Sequence, residues 1–216
     1  LPEVTISELT PRKRRFFLKY LARFLLLFES VKAKGSFLDS KRVIVTAAPH
    51  QSGKDEYLMI LMILALDIEV CYLSAKWTMR RIPIPFIKPK DIDNQGIPWP
   101  LGWLQEIVFR KFGAIPVDRK GNSGQYDSVV QDLLKKDSFL LIITPEGRFD
   151  ATRFRSSFLY LAKELEAEVM PVQIDYEHDT LKFLESLNLD GSEEEVIQRL
   201  RSCFDGIKGR KSRFKA

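Results

Sequence analysis

Short apolar runs alternate along this chain with longer stretches in which apolar residues recur every three or four positions. The runs RVIVTAA (42–48), IEVCYLSA (68–75), GAIPVDR (113–119), SFLLIIT (138–144) and EVMPVQID (168–175) have the length and β-branched content of strands. Between them, LGWLQEIVFRKF (101–112), GQYDSVVQDLLKK (124–136) and RFRSSFLYLAKELE (153–166) predict helices. EYLMILMILAL (56–66) is too long and too rich in Leu and Met for a strand, and also predicts a helix. KGSFLDS (34–40) predicts a loop, and 180–216 a short helical, basic tail. The segment 80–100 carries Pro83, Pro85, Pro89, Pro98 and Pro100 and is predicted to lack regular structure. Alternation with short connections predicts an α/β fold with a largely parallel central sheet flanked by helices. Sites in such sheets collect at the carboxyl ends of strands. The loops after 42–48, 113–119 and 138–144 are therefore the places to look.

FFLKYLARFLLLF (16–28) predicts an N-terminal amphipathic helix. Arg12, Arg15, Lys19 and Arg23 fall on one helical face, and Phe17, Leu21, Phe24, Leu25 and Phe28 on the other. Such a helix either lies in a membrane interface or packs on the core with a solvated basic face. Lys19 and Arg23 interrupt it, and it is shorter than the roughly 20 residues a span requires. It lies too far from a small-residue cleavage site to read as a signal peptide.

With 216 residues and 45% hydrophobic content, the chain is expected to form a single domain. Within it, 1–33 is the amphipathic region, 42–175 the core and 180–216 the tail. Cys71 and Cys203 lie far apart, and His50 and His178 are the only histidines. Neither a metal site nor a disulfide framework is expected, and the cysteine usage predicts a reducing, intracellular setting. A net charge of +5 calls for an anionic partner. Nucleic acid, an anionic membrane and phosphorylated small molecules all satisfy that requirement.

APHQSGKD (48–55) sits between a strand and a helix, where a phosphate-binding P-loop would be read. The cradle works through backbone N–H groups aimed at phosphate oxygens. Pro49 has no N–H, Ala48 replaces the first glycine, and Asp55 replaces the hydroxyl that would reach Mg²⁺. The same letters make better sense as a histidine and its carboxylate. A neutral imidazole at His50 takes a proton from an attacking alcohol, and Asp55 fixes its tautomer and steadies the imidazolium. In the second loop Arg119 offers a planar fork of donors suited to a phosphate, or else pairs with Asp118. In the third, Glu146, Gly147 and Arg148 follow a buried strand, and Gly147 would admit a ligand close to the backbone.

His50-x4-Asp55, GAIPVDR, TPEGR and Val169-Met170-Pro171-Val172, in that order, resemble the four blocks of the glycerolipid acyltransferases, the 1-acylglycerol-3-phosphate acyltransferase family. The resemblance spans about residues 42–175. It implies that His50 is the general base on the acceptor hydroxyl and that Asp55 orients it. The hydroxyl then attacks acyl-CoA or acyl-carrier protein directly, with no cofactor beyond that co-substrate. Arg119 would hold the acceptor phosphate, Glu146, Gly147 and Arg148 would complete the acceptor site, and Pro171 would lie near the acyl-binding region. The resemblance also implies peripheral or monotopic attachment to the cytoplasmic face of a membrane and no nucleic-acid partner.

Pro49 stands where the family usually has Asn, and Thr144 and Arg148-Phe149 depart from the usual F-P-E-G-T-R. The proline-rich segment adds Arg80, Arg81, Lys88 and Lys90 and is longer than the family's usual connection. The acceptor therefore stays open. A different lipid acceptor is the nearest alternative, and a non-catalytic membrane- or nucleic-acid-binding protein using the basic ends is the alternative from another class. A hydrolase built on the same pair lacks a convincing serine or cysteine nucleophile.

Overall fold

A computed structural model describes residues 3–5, 16–50, 53–75, 79–82, 97–98, 100–117, 125–146 and 153–209. The chain divides into two compact units, Leu1–Val70 with Lys136–Ala216, and Cys71–Lys135. Strand pairing is largely parallel in the first unit, and the second holds one parallel pair and one antiparallel pair, which makes the fold α/β as expected.

The first unit contains strands β1 (Glu3–Thr5), β2 (Lys32–Ser36), β3 (Arg42–Ala48), β8 (Phe139–Ile143), β9 (Glu168–Asp175) and β10 (Thr180–Phe183). They lie in the order β1-β2-β10-β9-β3-β8, and only β9–β10 is antiparallel. Between these strands run helices α1 (Phe16–Leu26), α2 (Gly53–Ala65) and α5 (Ser157–Glu164), and α6 (Glu193–Ser202) follows them. The second unit holds β4 (Cys71–Ala75), β5 (Arg81–Ile82), β6 (Ile97–Pro98), α3 (Gly102–Lys111), β7 (Ala114–Val117) and α4 (Gln125–Leu134).

β3 and β8 are apolar along nearly their whole length because they are covered on both faces. Val43, Ile44, Val45, Leu140 and Leu141 are fully buried. The C-terminal half of α2 follows the same rule: Leu61, Met62, Ile63, Leu64 and Ala65 are all buried, whereas Tyr57 in its first half reaches solvent. α6 has its start written locally. The Ser192 side chain accepts from the Glu195 N–H while the Glu195 carboxylate accepts from the Ser192 N–H.

α1 packs on α2 with its polarity reversed from the packed-helix alternative. Lys19 pairs with Asp67 at 3.4 Å, and Arg23 Nε donates to the Ala65 carbonyl just past the last turn of α2. Lys19 and Arg23 thus face the protein, whereas Phe17, Tyr20, Phe24, Leu27 and Phe28 are exposed, Leu27 by 79%.

Several expectations are corrected. Residues 34–36 belong to β2 rather than to a loop; KAKGS buries only Ala33, so it carries no strand pattern and exists through backbone pairing with β1 and β10. The region after 180 is not uniformly helical. TLKF forms β10, whose buried Leu181 and Phe183 give a period-two signal over only four residues. Among its described residues the proline-rich segment contains a regular feature, the two-residue antiparallel pair β5–β6, in which Arg81 faces Pro98. Pro83, Pro85 and Pro89 lie outside the described residues. α2 starts three residues before the predicted helix and α5 four residues after.

In the second unit, β4 and β7 pair in parallel with Tyr72 opposite Ala114. Gln105 of α3 donates to the Arg81 carbonyl, and Glu106 accepts from both Arg80 and Arg110. Those two guanidinium groups hold the Glu106 carboxyl below its ordinary range.

Candidate functional site

The adjacent parallel strands β9, β3 and β8 all end at the same edge of the sheet. β3 runs into His50 through a cis Ala48–Pro49 peptide, β8 leads to Glu146, and Tyr176 follows directly on β9. α2 supplies Asp55 from its first turn. Four elements from three separate stretches of the sequence thus converge at the carboxyl end of the sheet, where an α/β fold places its sites.

His50, Asp55 and Glu146 are three of the four buried polar or charged residues among the described ones; the fourth is Thr46 on β3. His50 Nδ1 lies 3.7 Å from Asp55 Oδ2, longer than a formed hydrogen bond. Its Nε2 lies 3.5 Å from an oxygen of Glu56, whose side chain is 41% exposed. The imidazole therefore has one nitrogen toward a buried carboxylate and the other toward a half-exposed one.

The His50 backbone N–H donates to Glu146, 3.1 Å from each carboxylate oxygen. Burial pushes the Glu146 carboxyl above its ordinary range; the His50 N–H works against that shift, and the charge of Asp55 adds to it. Asp55 in turn accepts from the Tyr176 hydroxyl at 2.5 Å. Lys54, the lysine of the rejected P-loop, pairs with Glu29 at 2.6 Å.

The structure brings together His50, Asp55 and Glu146 of the residues singled out in the sequence. Glu146 contacts the backbone of the histidine loop, so its place is beside His50. Pro171 lies within β9, opposite Thr46 of β3, and is buried. Arg119, Gly147 and Arg148 lie outside the described residues. A cavity of about 310 Å³ opens near the C-terminal half of α2, lined in part by Arg23, Leu26, Met62 and Ala65, and none of the site residues lines it.

Sequence reasoning missed Tyr176 and Glu56. Tyr176 had a signal, as the residue next to the carboxyl end of a predicted strand. Glu56 adjoins Asp55, and only the first helical turn shows that both reach the imidazole.

The acyltransferase family model matches residues 100–175. The match takes in Arg119, Glu146, Gly147, Arg148 and Pro171 and leaves His50 and Asp55 outside. No curated protein matches the chain. The second, third and fourth blocks read from the sequence fall within the matched residues, and over that stretch the chain is similar to the acyltransferase family, that of the glycerolipid acyltransferases.

Proposed function

We propose that this acyltransferase moves a fatty acyl group from an acyl thioester, on coenzyme A or acyl-carrier protein, to the hydroxyl of a lysophospholipid-type acceptor such as 1-acylglycerol-3-phosphate. The observation that carries the reading is the buried His50, set between Asp55 and Glu146 at the carboxyl ends of β3 and β8. His50 Nε2 accepts the proton of the acceptor hydroxyl as its oxygen attacks the thioester carbonyl. Asp55 stabilises the imidazolium. The tetrahedral intermediate collapses, the C–S bond breaks, and the imidazolium returns the proton to the leaving thiolate. Glu146 holds the histidine loop through its N–H, and Arg119 grips the acceptor phosphate.

The exposed aromatic and leucine face of α1 supports work at a membrane surface. No described helix is long and apolar enough to cross a membrane. α1 and the turn after it lie in the interface with Phe17, Tyr20, Phe24, Leu27 and Phe28 toward the lipid.

One observation favours a second acceptor class. Glu56 places a carboxylate 3.5 Å from the working nitrogen of His50. An acceptor without a phosphomonoester suffers less repulsion there than lysophosphatidate does.

Acyl transfer by the purified protein, measured over a panel of lysolipids with both donors, tests the reading. Turnover on any lysolipid supports it, and none on all of them refutes it. Arg119→Ala separates the acceptor classes: affinity for a phosphate acceptor falls sharply, and for a neutral one little.

A further inference from the structure

Asp55 is almost completely buried, and a buried carboxylate is tolerated only with partners on its oxygens. Its Oδ1 receives the Tyr176 hydroxyl at 2.5 Å, across 121 residues of sequence, while Oδ2 is the atom nearest His50 Nδ1. The two oxygens are thus divided between two tasks. Tyr176 is itself buried, and its backbone N–H donates to the Lys208 carbonyl at 3.2 Å, so β9 and the segment after α6 both hold it.

We infer that Tyr176 is a positioning residue for acyl transfer: its hydroxyl pins one oxygen of Asp55 so that the other faces the His50 imidazole. The inference rests on His50 being the general base. A hydroxyl donated to a carboxylate favours the charged form, and it fixes the rotation of the carboxylate about its own bond. Phenylalanine at position 176 keeps the ring and loses both effects.

Without the tyrosine proton, Asp55 binds a proton more readily and pulls harder on an imidazolium. Either change means that the site loses its inhibiting proton at a higher pH. Among the described residues, Glu56 near Nε2 and Glu146 on the His50 N–H are charged groups that face the dyad, and neither is altered by the substitution.

The test is a kinetic comparison of Tyr176→Phe with the unmodified enzyme. The expected result is a kcat lower by about tenfold, KM for both substrates within roughly twofold, and an acid limb of the pH–kcat profile moved upward. Adding Tyr176→Phe to Asp55→Asn is expected to cost nothing further, because the tyrosine acts through that carboxylate. A merely structural tyrosine would show the same loss in both backgrounds, and that outcome overturns the inference. So does an unchanged kcat and acid limb in Tyr176→Phe while His50→Ala is inactive. If His50→Ala retains full turnover, the general-base reading itself falls. Tyr176→Met, also without a donor, replaces the phenylalanine variant should that one fail to fold.

Discussion

The backbone N–H of His50 and the carboxylate of Glu146 meet at 3.1 Å across 96 residues of sequence. β3 and β8 are parallel neighbours, so the loops that follow them emerge side by side, and the glutamate of one closes on the histidine of the other. Glu146→Ala leaves a buried N–H without this acceptor and is expected to cost about 1–3 kcal/mol in urea unfolding. Glu146→Gln keeps an acceptor oxygen and costs less. The two also differ in pH dependence. Burial raises the Glu146 carboxyl from 4.5, so its contribution to stability is fully present below that value and is lost as pH rises through the raised one. Urea midpoints over the mildly acidic range should therefore fall more steeply for the natural chain than for Glu146→Gln. Parallel curves would contradict this.

The second histidine is a built-in control. His178 Nδ1 and Asp175 Oδ2 lie 2.6 Å apart, and the carboxylate pushes the exposed imidazole above its ordinary 6.5. Proton NMR should show the His178 resonance titrating above that value, and His178→Ala should remove it. The pair's stabilisation is fully present below 6.5 and lost as pH rises through the raised value. His178 lies outside the site, so His178→Ala should leave acyl transfer unchanged.

The outward face of α1 predicts lipid binding separable from stability. Phe24 and Phe28, in edge-to-face contact at 5.4 Å between ring centres, are both exposed. Replacing both by serine should weaken co-sedimentation with anionic vesicles by about tenfold or more, since each ring contributes over 1 kcal/mol when buried. The unfolding free energy should move by less than about 0.5 kcal/mol. Unchanged vesicle binding would refute the orientation proposed for this helix.

Gly35 has φ of +106°, and a Cβ built there would lie 2.2 Å from the Phe183 carbonyl oxygen. Glycine is needed both for the backbone angle and for the close approach of β10 to β2. Gly35→Ala should destabilise the chain by more than about 1 kcal/mol, read as a lower midpoint of thermal unfolding. An unchanged midpoint would show that the strand pair yields.

The sheet's central strands and the α2 helix were legible because burial on all sides writes itself as unbroken apolar runs such as FLLII. β2 and β10 were not, because KAKGS is held by its neighbours' backbones and TLKF is too short to display a period. His50 and Asp55 could be paired from their spacing, since a loop and the first turn of the following helix are local. The contacts of Glu146 and Tyr176 depend on strand order, which residue patterns do not encode. α1 was legible as amphipathic, but which face turns inward depends on Asp67 and the Ala65 carbonyl waiting at the end of α2.

The most direct test of the account is the acyl-transfer rate of His50→Ala beside that of the unmodified chain, with both shown to be folded by circular dichroism. A general base at this position contributes about 10²–10⁴-fold, so the account predicts a loss of kcat in that range with little change in thermal stability. Turnover equal to that of the unmodified chain would contradict it.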